Sequence, residues 1–582
     1  MKTPIKQLDS LFLQATLKAF PELKEQNNFS IELTQSTQEK FGHYQLNSAM
    51  RLTKLLKLPP RKIAEKIIEH LPNDAPIGKT EIAGPGFINI TLTDEYITDG
   101  VRSMGQDPHL SIDLPSHPQK VVIDFSSPNI AKELHVGHLR STIIGDSLAR
   151  LYEFLGHDVL RLNHIGDWGT SFGMLIAYLK EEEPEILTGK KETDLSSLVN
   201  WYKAAKQKFD EDPAFKKRSQ KEVSTLQGGD KEALNAWRII CEISAKAYRE
   251  IYAILDVKIT DRGESFYNPM LPEVIKDLEQ KDLITVSNNA KCIFLDGFQN
   301  REGDPLPMII QKSDGGYNYA TTDMAAMKHR TQKEKADRIV ILTDAGQKMH
   351  FEMLVQAAEK VGYLDKKKVH FDHITFGLVL GPDGKKFKTR SGETEKLIDL
   401  LTTAIQKADE ILCERSPDMD ETERKTLAKA LGIGAVKYAD LSCHRTGDYT
   451  FSYDRMLRFE GNTAAYLMYS YVRIAGIKRK ANADIKKIKN KATIELKHPS
   501  EIELGLHLMR FGESLNLVAE DLTPNRLTDY LYGLAEKFNA FFRDCRVEGS
   551  PEQDSRLLLC EVVARTMKQG LDILGVQTVD RM

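Results

Sequence analysis

At 582 residues the chain is too long for one hydrophobic core and predicts three or four domains. An apolar content of 41%, a charged content of 28% and a formal net charge of −3 fit a soluble globular protein and exclude a polycation, so any nucleic-acid partner must meet a local basic face. The six cysteines (Cys241, Cys292, Cys413, Cys443, Cys545, Cys560) form no C-x-x-C pair, which removes the usual zinc and redox motifs and fits free thiols in a reducing cytosol. MKTPIKQLDSLFL lacks the apolar core of a signal peptide, and no run of about 18 apolar residues offers a membrane span, so the expected location is the cytoplasm.

Residues 1–110 read as a small α+β domain. Leu8, Leu11, Phe12, Ala15 and Ala19 recur at helical spacing, FSIELTQST is strand-like, KIAEKIIEHL is a helix, and Gly84-Pro85-Gly86-Phe87 turns into the strand INITLT. FGHYQLNSAMRLTKLL starts as a loop and becomes a helix; Phe41, Tyr44, Gln45 and Asn47 gather there, either as a packed aromatic turn or as a base-stacking contact.

A Pro- and Ser-containing linker, Leu110 to Lys120, leads to the stretch that organises the chain. VVIDF, 121–125, is a β-branched run of buried-strand type, and Leu139, Ile143, Ile144 and Leu148 follow at helical spacing. Between them lies SSPNIAKELHVGHLRST, with the helix opening between Lys132 and Gly137. On that helix His135 and His138 share a face, Gly137 presents no side chain, and Lys132 stands one turn earlier. A helix N-terminus so equipped suits phosphates; the same pair also serves elsewhere as surface or capping histidines. DVLRLNHIGDWGTSFGMLIAYL then repeats strand, loop and helix, and the alternation predicts βαβ units in a parallel sheet whose ligands sit beyond the carboxyl ends of the strands.

Residues from about 180 to 259 read as a charged helical insertion. After KITDRGESFYNP, with Glu264, comes a strand at Met308 to Gln311, a Ser-Asp-Gly-Gly turn and a helix from about Ala320 that puts Tyr319 and Asp323 on one face. ADRIVILTDAGQKMHF is another strand, loop and helix start, holding Asp344, Gly346, Gln347 and His350. LVLGPDGKKFKTRSGETEK is Gly-rich and cationic through Lys385, Lys386, Lys388 and Arg390, either a clamp on a polyphosphate or an ordinary basic hairpin. Beyond about residue 400 the spacing is helical, with a basic linker from Lys478 to Lys497 beside Tyr466, Tyr469 and Arg473.

HVGH after a strand, the late Lys loop and the helical C-terminal bundle together resemble a class I aminoacyl-tRNA synthetase. SPNIAKxLHVGHLRST, NHIGDWGTxFG, QKSDGGYNYATTDMAA, GQxxHF and FNAFFRDC…LDILGV…DRM resemble the arginyl-tRNA synthetases in particular, over essentially the whole chain. The resemblance implies an α+β N-terminal tRNA-elbow domain (1–110), a Rossmann-type α/β catalytic domain with a helical insertion (116–400), and an all-α anticodon-binding bundle (401–582). It implies that His135 and His138 stabilise the ATP α-phosphate and transition state, that Gly137 admits the adenosine, and that Gly346, His350 and Arg390 contact ATP. KFKTRSG matches the family's KMSKS loop with Lys386 and Lys388 as catalytic cations, but Thr389 stands in the place of its second lysine, and Lys132 is the implied substitute. Ser127 and Asn129 would hold the arginine backbone; Glu264, Tyr319, Asp323 and Gln347 would surround the guanidinium. Carboxylates can take that planar fork bidentately, and rejecting analogues by unpaired burial makes an editing domain unnecessary.

The implied partners are L-arginine, ATP with Mg²⁺ carried on its phosphates and no protein-held metal, and tRNA(Arg), bound before activation by a monomer. Tyr44, Gln45 and Asn47 would touch the tRNA elbow; Tyr466, Tyr469 and Arg473 would touch its anticodon side. His43 stands where the family often has Asp, and Ser171 where it commonly has Gln. Two other readings compete: a small-molecule adenylyltransferase, which has no use for the C-terminal bundle, and a non-catalytic tRNA-binding paralogue, which would have lost the His pair, Lys132 or the pocket carboxylates.

Overall fold

The computed structural model describes residues 3–26, 29–188, 190–381, 383–385, 387 and 395–582. Its centre is a five-stranded parallel sheet. The strands run His370–Phe376, Arg338–Asp344, Lys120–Asp124, Asp158–Asn163 and Thr260–Asp261 across the sheet. Numbered along the chain the order is 5-4-1-2-3, the Rossmann order, so the first strand lies where the winding reverses. Val121, Val122 and Ile123 are wholly buried, as a central parallel strand demands.

The helix that follows runs Val136–Phe154 and ends at Gly156, whose φ of 84° only glycine adopts readily. It opens at Val136, inside the expected bounds, so that Lys132 lies in the loop. The insertion is all helix, from Thr170–Glu182 through Leu195–Glu211 and Pro213–Gln227 to Lys231–Ile254. The expected strand at 308–311 is longer, Pro305–Gln311, and belongs to a separate antiparallel sheet with Ala290–Gln299 and Thr285–Ser287.

The N-terminal residues form a four-stranded antiparallel sheet, Leu33–Gln35, Tyr44–Leu46, Phe87–Leu92 and Ile77–Ala83 in spatial order, packed with helices such as Pro4–Ala19 and Pro60–Glu69. Tyr44–Leu46, expected as loop, is a strand. Its three residues are too short to show alternation, and its pairing on both sides decides the matter. The C-terminal part is helical, including Glu421–Leu441, Ala464–Lys480, Pro499–Met509, Phe511–Asp521, Asn525–Asp544 and Gln553–Ile573. The basic stretch 478–497 is partly structured: Ile485–Lys489 is a short helix, and Lys489 Nζ donates to the Gly105 carbonyl at 3.0 Å. No helix among the described residues is long and apolar enough to cross a membrane.

Candidate active site

One cavity of about 1210 Å³ lies at the carboxyl ends of the parallel strands, where the winding reverses. Its floor is the loop after Lys120–Asp124, and that loop is strained. Ser126, Ser127 and Ala131 have φ of 66°, 49° and 57°, left-handed values that cost a non-glycine residue about 1–3 kcal/mol each and persist only where neighbours impose them. Ser126 N–H donates to Ser141 Oγ at 2.9 Å, and Ser127 N–H donates to Asn163 Oδ1 at 2.9 Å. Ser127 Oγ donates to Asp124 Oδ1 at 2.8 Å. From the insertion helix Lys231–Ile254, Tyr248 donates to the Asn129 and Lys132 carbonyls at 2.8 and 2.7 Å, Tyr252 pairs with Ser126 Oγ at 2.8 Å, and Ser244 Oγ accepts from Ala131 N–H at 3.1 Å. The helical arm therefore grips the loop that the sequence marks as central. Beneath it, Arg330 Nη2 donates to Asp124 Oδ2 at 2.5 Å, an ion pair whose side chains are 4% and 8% exposed.

The two histidines of HVGH do not sit side by side on a helical face. His135 is the N-cap, in extended conformation, and His138 is the third helical residue. Gly137 N–H donates to His135 Nδ1, and His135 N–H donates to His138 Nδ1, both at 3.1 Å, with the rings 4.0 Å apart. This is a capping box in imidazoles. Because each Nδ1 accepts a backbone proton, the neutral ring carries its own proton on Nε2 and is a donor there. Burial, then the fields of His135 and Lys132, push the His138 imidazole down to about 3, so it works uncharged. The arrangement offers N–H donors and the helix N-terminus to an anion. It also changes the role of Gly137: a Cβ there would lie 2.9 Å from His135 Cε1, so the missing side chain first makes room for the cap.

The carboxylates of Glu264 and Asp323 line the same cavity, and that of Asp167 lies near Glu264 behind it. Asp167 accepts from Ser265 N–H at 2.8 Å and Ser265 Oγ at 2.6 Å, and a Cβ on Gly263 would strike its carboxylate at 2.3 Å. Glu264 N–H donates to the Ile165 carbonyl at 3.0 Å. Burial, then the Asp323 and Asp167 carboxylates, push Glu264 up to about 8, and burial raises Asp167. Asp323, in the helix Tyr319–Gln332, accepts from His350 Nε2 at 2.6 Å, and His164 Nε2 stands 3.9 Å from its other oxygen. Carboxylates crowded this way favour a bound proton or a neighbouring positive charge.

Residues that follow the Lys loop complete the wall. Arg140, fully buried, pairs with Asp440 Oδ2 at 3.1 Å and donates to the Gly447 carbonyl at 2.9 Å. Thr446 and Asp448 line the cavity, and Val379–Leu380 pairs with Tyr449–Thr450 just before the Lys loop. Beyond that loop, Lys396 bridges to His135, Leu397 N–H donates to the Leu134 carbonyl at 2.8 Å, and Lys396 Nζ meets Glu133 at 2.8 Å. The described C-terminal end of the loop thus lies against His135.

A family model described as "tRNA synthetases class I (R), catalytic domain" matches residues 106–453; an "Arginyl tRNA synthetase N terminal domain" matches 6–92 and a "DALR anticodon binding domain" matches 467–582. The chain is 64% identical to the arginine–tRNA ligase of Protochlamydia amoebophila over 584 residues, with both chains fully covered. It belongs to the arginyl-tRNA synthetases. The arginine–tRNA ligase of Chlamydia felis is 54% identical, again over the full length of both. The crystal structure of arginyl-tRNA synthetase from Plasmodium falciparum superimposes with a TM-score of 0.88 at 33% identity, covering all of both chains. The Thermus thermophilus arginyl-tRNA synthetase shares the fold, with a TM-score of 0.81 at 22% identity over the same coverage.

In this synthetase the cavity gathers Ser127, Asn129, His135, Gly137, His138, Glu264, Tyr319, Asp323, Gly346, Gln347 and His350. Lys132 is exposed and does not line it, though its charge reaches His138. Lys386, Lys388, Thr389 and Arg390 lie outside the described residues. His350, expected at ATP, lines the cavity and holds Asp323. Tyr469 is 44% exposed, and Arg473 lies over its ring at 5.2 Å, while Tyr466 accepts from Asn539 Nδ2 at 2.7 Å. Tyr44 is corrected outright. It is wholly buried, its hydroxyl donates to Glu513 Oε1 at 2.9 Å, and it offers no ring for a base to stack on. Gln45 Nε2 is engaged with Asn89 Oδ1 at 2.7 Å, and Asn47 is half-buried. Sequence reasoning missed Asp124, Arg330, His164, Asp167, Tyr248 and Tyr252. His164 and Asp167 stand in the NHIGDWGT loop, already expected at the strand ends; the tyrosines sit in a helical pattern that reads as solvated arm.

Proposed function

We propose that the chain activates L-arginine with ATP, giving arginyl-adenylate and pyrophosphate, and transfers arginine to the terminal adenosine of tRNA(Arg). The observation that carries this is one cavity lined both by the Glu264 and Asp323 carboxylates and by the His pair at a helix N-terminus. In this reading Glu264 and Asp323 take the guanidinium, with Tyr319 and Gln347 beside it, and Ser127 and Asn129 hold the amino-acid backbone. Gly346 and the His pair receive ATP. The arginine carboxylate attacks the α-phosphorus in line, a P–O bond forms, and the bond to pyrophosphate breaks. His135 and His138 donate Nε2–H to the developing charge without giving up a proton, so the protein acts by positioning and preorganised dipoles. Lys132 supplies field from the loop, and Lys386, Lys388 and Arg390 are assigned to the leaving pyrophosphate.

Mg²⁺ enters on the ATP phosphates, whose oxygens are its preferred ligands and whose charge it neutralises. Among the described residues no group of three His, Cys, Asp or Glu side chains forms a metal cradle. We assign residues 1–110, 116–400 and 401–582 to elbow contact, catalysis and anticodon contact. Tyr466, Tyr469 and Arg473 form the anticodon-side platform, and Gln45 and Asn47 stay candidates at the elbow. Activation that requires bound tRNA is carried here from the resemblance to the family. The partners in this reading meet a monomer, and six free thiols support the cytoplasm. The anticodon-binding domain matched at 467–582 weighs against a small-molecule adenylyltransferase, and the retained His pair and carboxylates weigh against a non-catalytic paralogue.

ATP–pyrophosphate exchange with each amino acid, with and without tRNA(Arg), tests the reading. Exchange is expected with arginine and tRNA together; none under either condition ends the catalytic reading, and exchange with another amino acid ends the specificity. Asp323→Ala leaves a cation without its bidentate partner, so the arginine KM should rise by a factor on the order of 100 or more while the ATP KM stays within about twofold.

A further inference from the structure

We propose that His350 is a positioning residue of the arginine pocket, which holds the Asp323 carboxylate in the one plane that a guanidinium fork can meet. The inference deepens the ligase reading and rests on it. The torsion that turns an aspartate carboxylate about its own axis is soft, so burial alone does not fix the plane of the two oxygens. A bidentate guanidinium needs that plane fixed, because its two N–H groups are rigidly parallel.

The structure supplies the constraint from outside the helix that carries Asp323. His350 is the third residue of the helix Lys348–Val361, and its Nε2 lies 2.6 Å from Asp323 Oδ2. The imidazole is itself wedged. Tyr319 meets it edge-on at 5.0 Å and Phe351 at 5.2 Å, and its side chain is only 19% exposed. The second oxygen, Oδ1, faces His164 Nε2 at the longer distance of 3.9 Å. His164 is held in turn, stacked on Tyr267 at 5.4 Å with its Nδ1 3.4 Å from Arg330 Nη2. The carboxylate is therefore clamped at Oδ2 and only loosely approached at Oδ1.

A carboxylate has about four acceptor sites. One is spent on His350, and those facing Glu264 and the cavity remain for substrate. The residue thus serves the amino-acid end of the cavity, through Asp323, and makes no contribution to nucleotide affinity.

The test compares His350→Ala and His350→Gln in the full-length protein at pH 8.5, above the titration of Glu264. L-arginine and ATP binding are measured separately by calorimetry, with their KM values in exchange. Loss of a hydrogen bond to a charged group predicts an arginine Kd weaker on the order of 10- to 100-fold for His350→Ala, with ATP within about twofold. His350→Gln, which restores an N–H donor, should recover part of the loss. In the unsubstituted protein, the ¹⁵N resonance of His350 Nε2 should move on adding arginine and stay in place on adding ATP alone. Weaker ATP binding with arginine unchanged, or a His350 signal that answers only to ATP, would overturn the proposal and leave the ligase reading standing. No arginine binding by the unsubstituted protein would overturn both.

Discussion

Single residues here are tuned by what lies beside them more than by their type. His138 is neutral because it is buried and flanked by His135 and Lys132, and Glu264 is proton-hungry because it is buried among carboxylates. The second effect has a measurable sign. Glu264 in the free protein titrates at about 8, well above an ordinary glutamate. A guanidinium beside it favours the carboxylate and pulls that value down, so arginine binding near neutrality expels a proton. Affinity that depends on the ionised form is present above pH 8 and lost as pH falls below it. The arginine Kd should therefore weaken by up to about tenfold per pH unit between pH 8 and 6, with proton release seen as a buffer-dependent calorimetric heat. Glu264→Gln should bind more weakly and lose this slope; a slope that survives the substitution places the titrating group elsewhere.

At the scale of elements, the strand–loop–helix unit from Lys120 to Phe154 is a strained loop braced by a helix from the insertion. Tyr248→Phe keeps the buried ring, which is 1% exposed, and deletes one hydroxyl that serves two loop carbonyls. Loss of a half-buried hydroxyl shared by two carbonyls predicts a stability loss of about 0.5–1.5 kcal/mol, and a loop that relaxes about Asn129 predicts exchange slowed by on the order of 10- to 100-fold, with the arginine KM raised. Unchanged exchange in a folded Tyr248→Phe protein would show that the loop keeps its shape without the brace. This brace marks the limit of what the sequence discloses. The VVIDF strand, the Leu139–Leu148 spacing and the Tyr319/Asp323 pair are local patterns, and each is found in the structure. Tyr248 acts on residues more than 110 positions away, and nothing in a charged amphipathic helix shows which of its apolar positions carries a hydroxyl to a distant carbonyl. The His pair was half legible: the spacing marked the helix start, but the reciprocal Nδ1 caps depend on where the first helical residue falls, and boundaries are the least readable feature of a pattern.

The largest-scale feature is that the two ends of the chain close on each other. Glu513, buried in the bundle, accepts from Ile5 N–H at 2.8 Å, Gln35 Nε2 at 2.6 Å and Tyr44 hydroxyl at 2.9 Å, all from the N-terminal part. Arg510 donates to the His43 carbonyl at 2.6 Å and lies over the Tyr44 ring at 5.1 Å. Arg565 reaches the Gly105 and Asp107 carbonyls, and Arg102 Nε donates to the Ile494 carbonyl at 2.6 Å. The N-terminal sheet is therefore fastened to the bundle by a carboxylate with three donors, and Tyr44 belongs to that fastening. Glu513 lies 469 residues from Tyr44, which is why a tyrosine in a polar loop read as a base contact. The two roles separate cleanly in Tyr44→Phe. A hydrogen bond to a charged group is worth about 1.5–3 kcal/mol, so amide exchange in the strands Tyr44–Leu46 and Phe87–Leu92 should quicken on the order of 10- to 100-fold, without a matching change in the parallel sheet. A buried hydroxyl meets no tRNA, so the tRNA Kd should stay within about twofold. A tenfold loss of tRNA affinity with exchange unchanged would return Tyr44 to the tRNA surface and leave Glu513 held by its other donors alone.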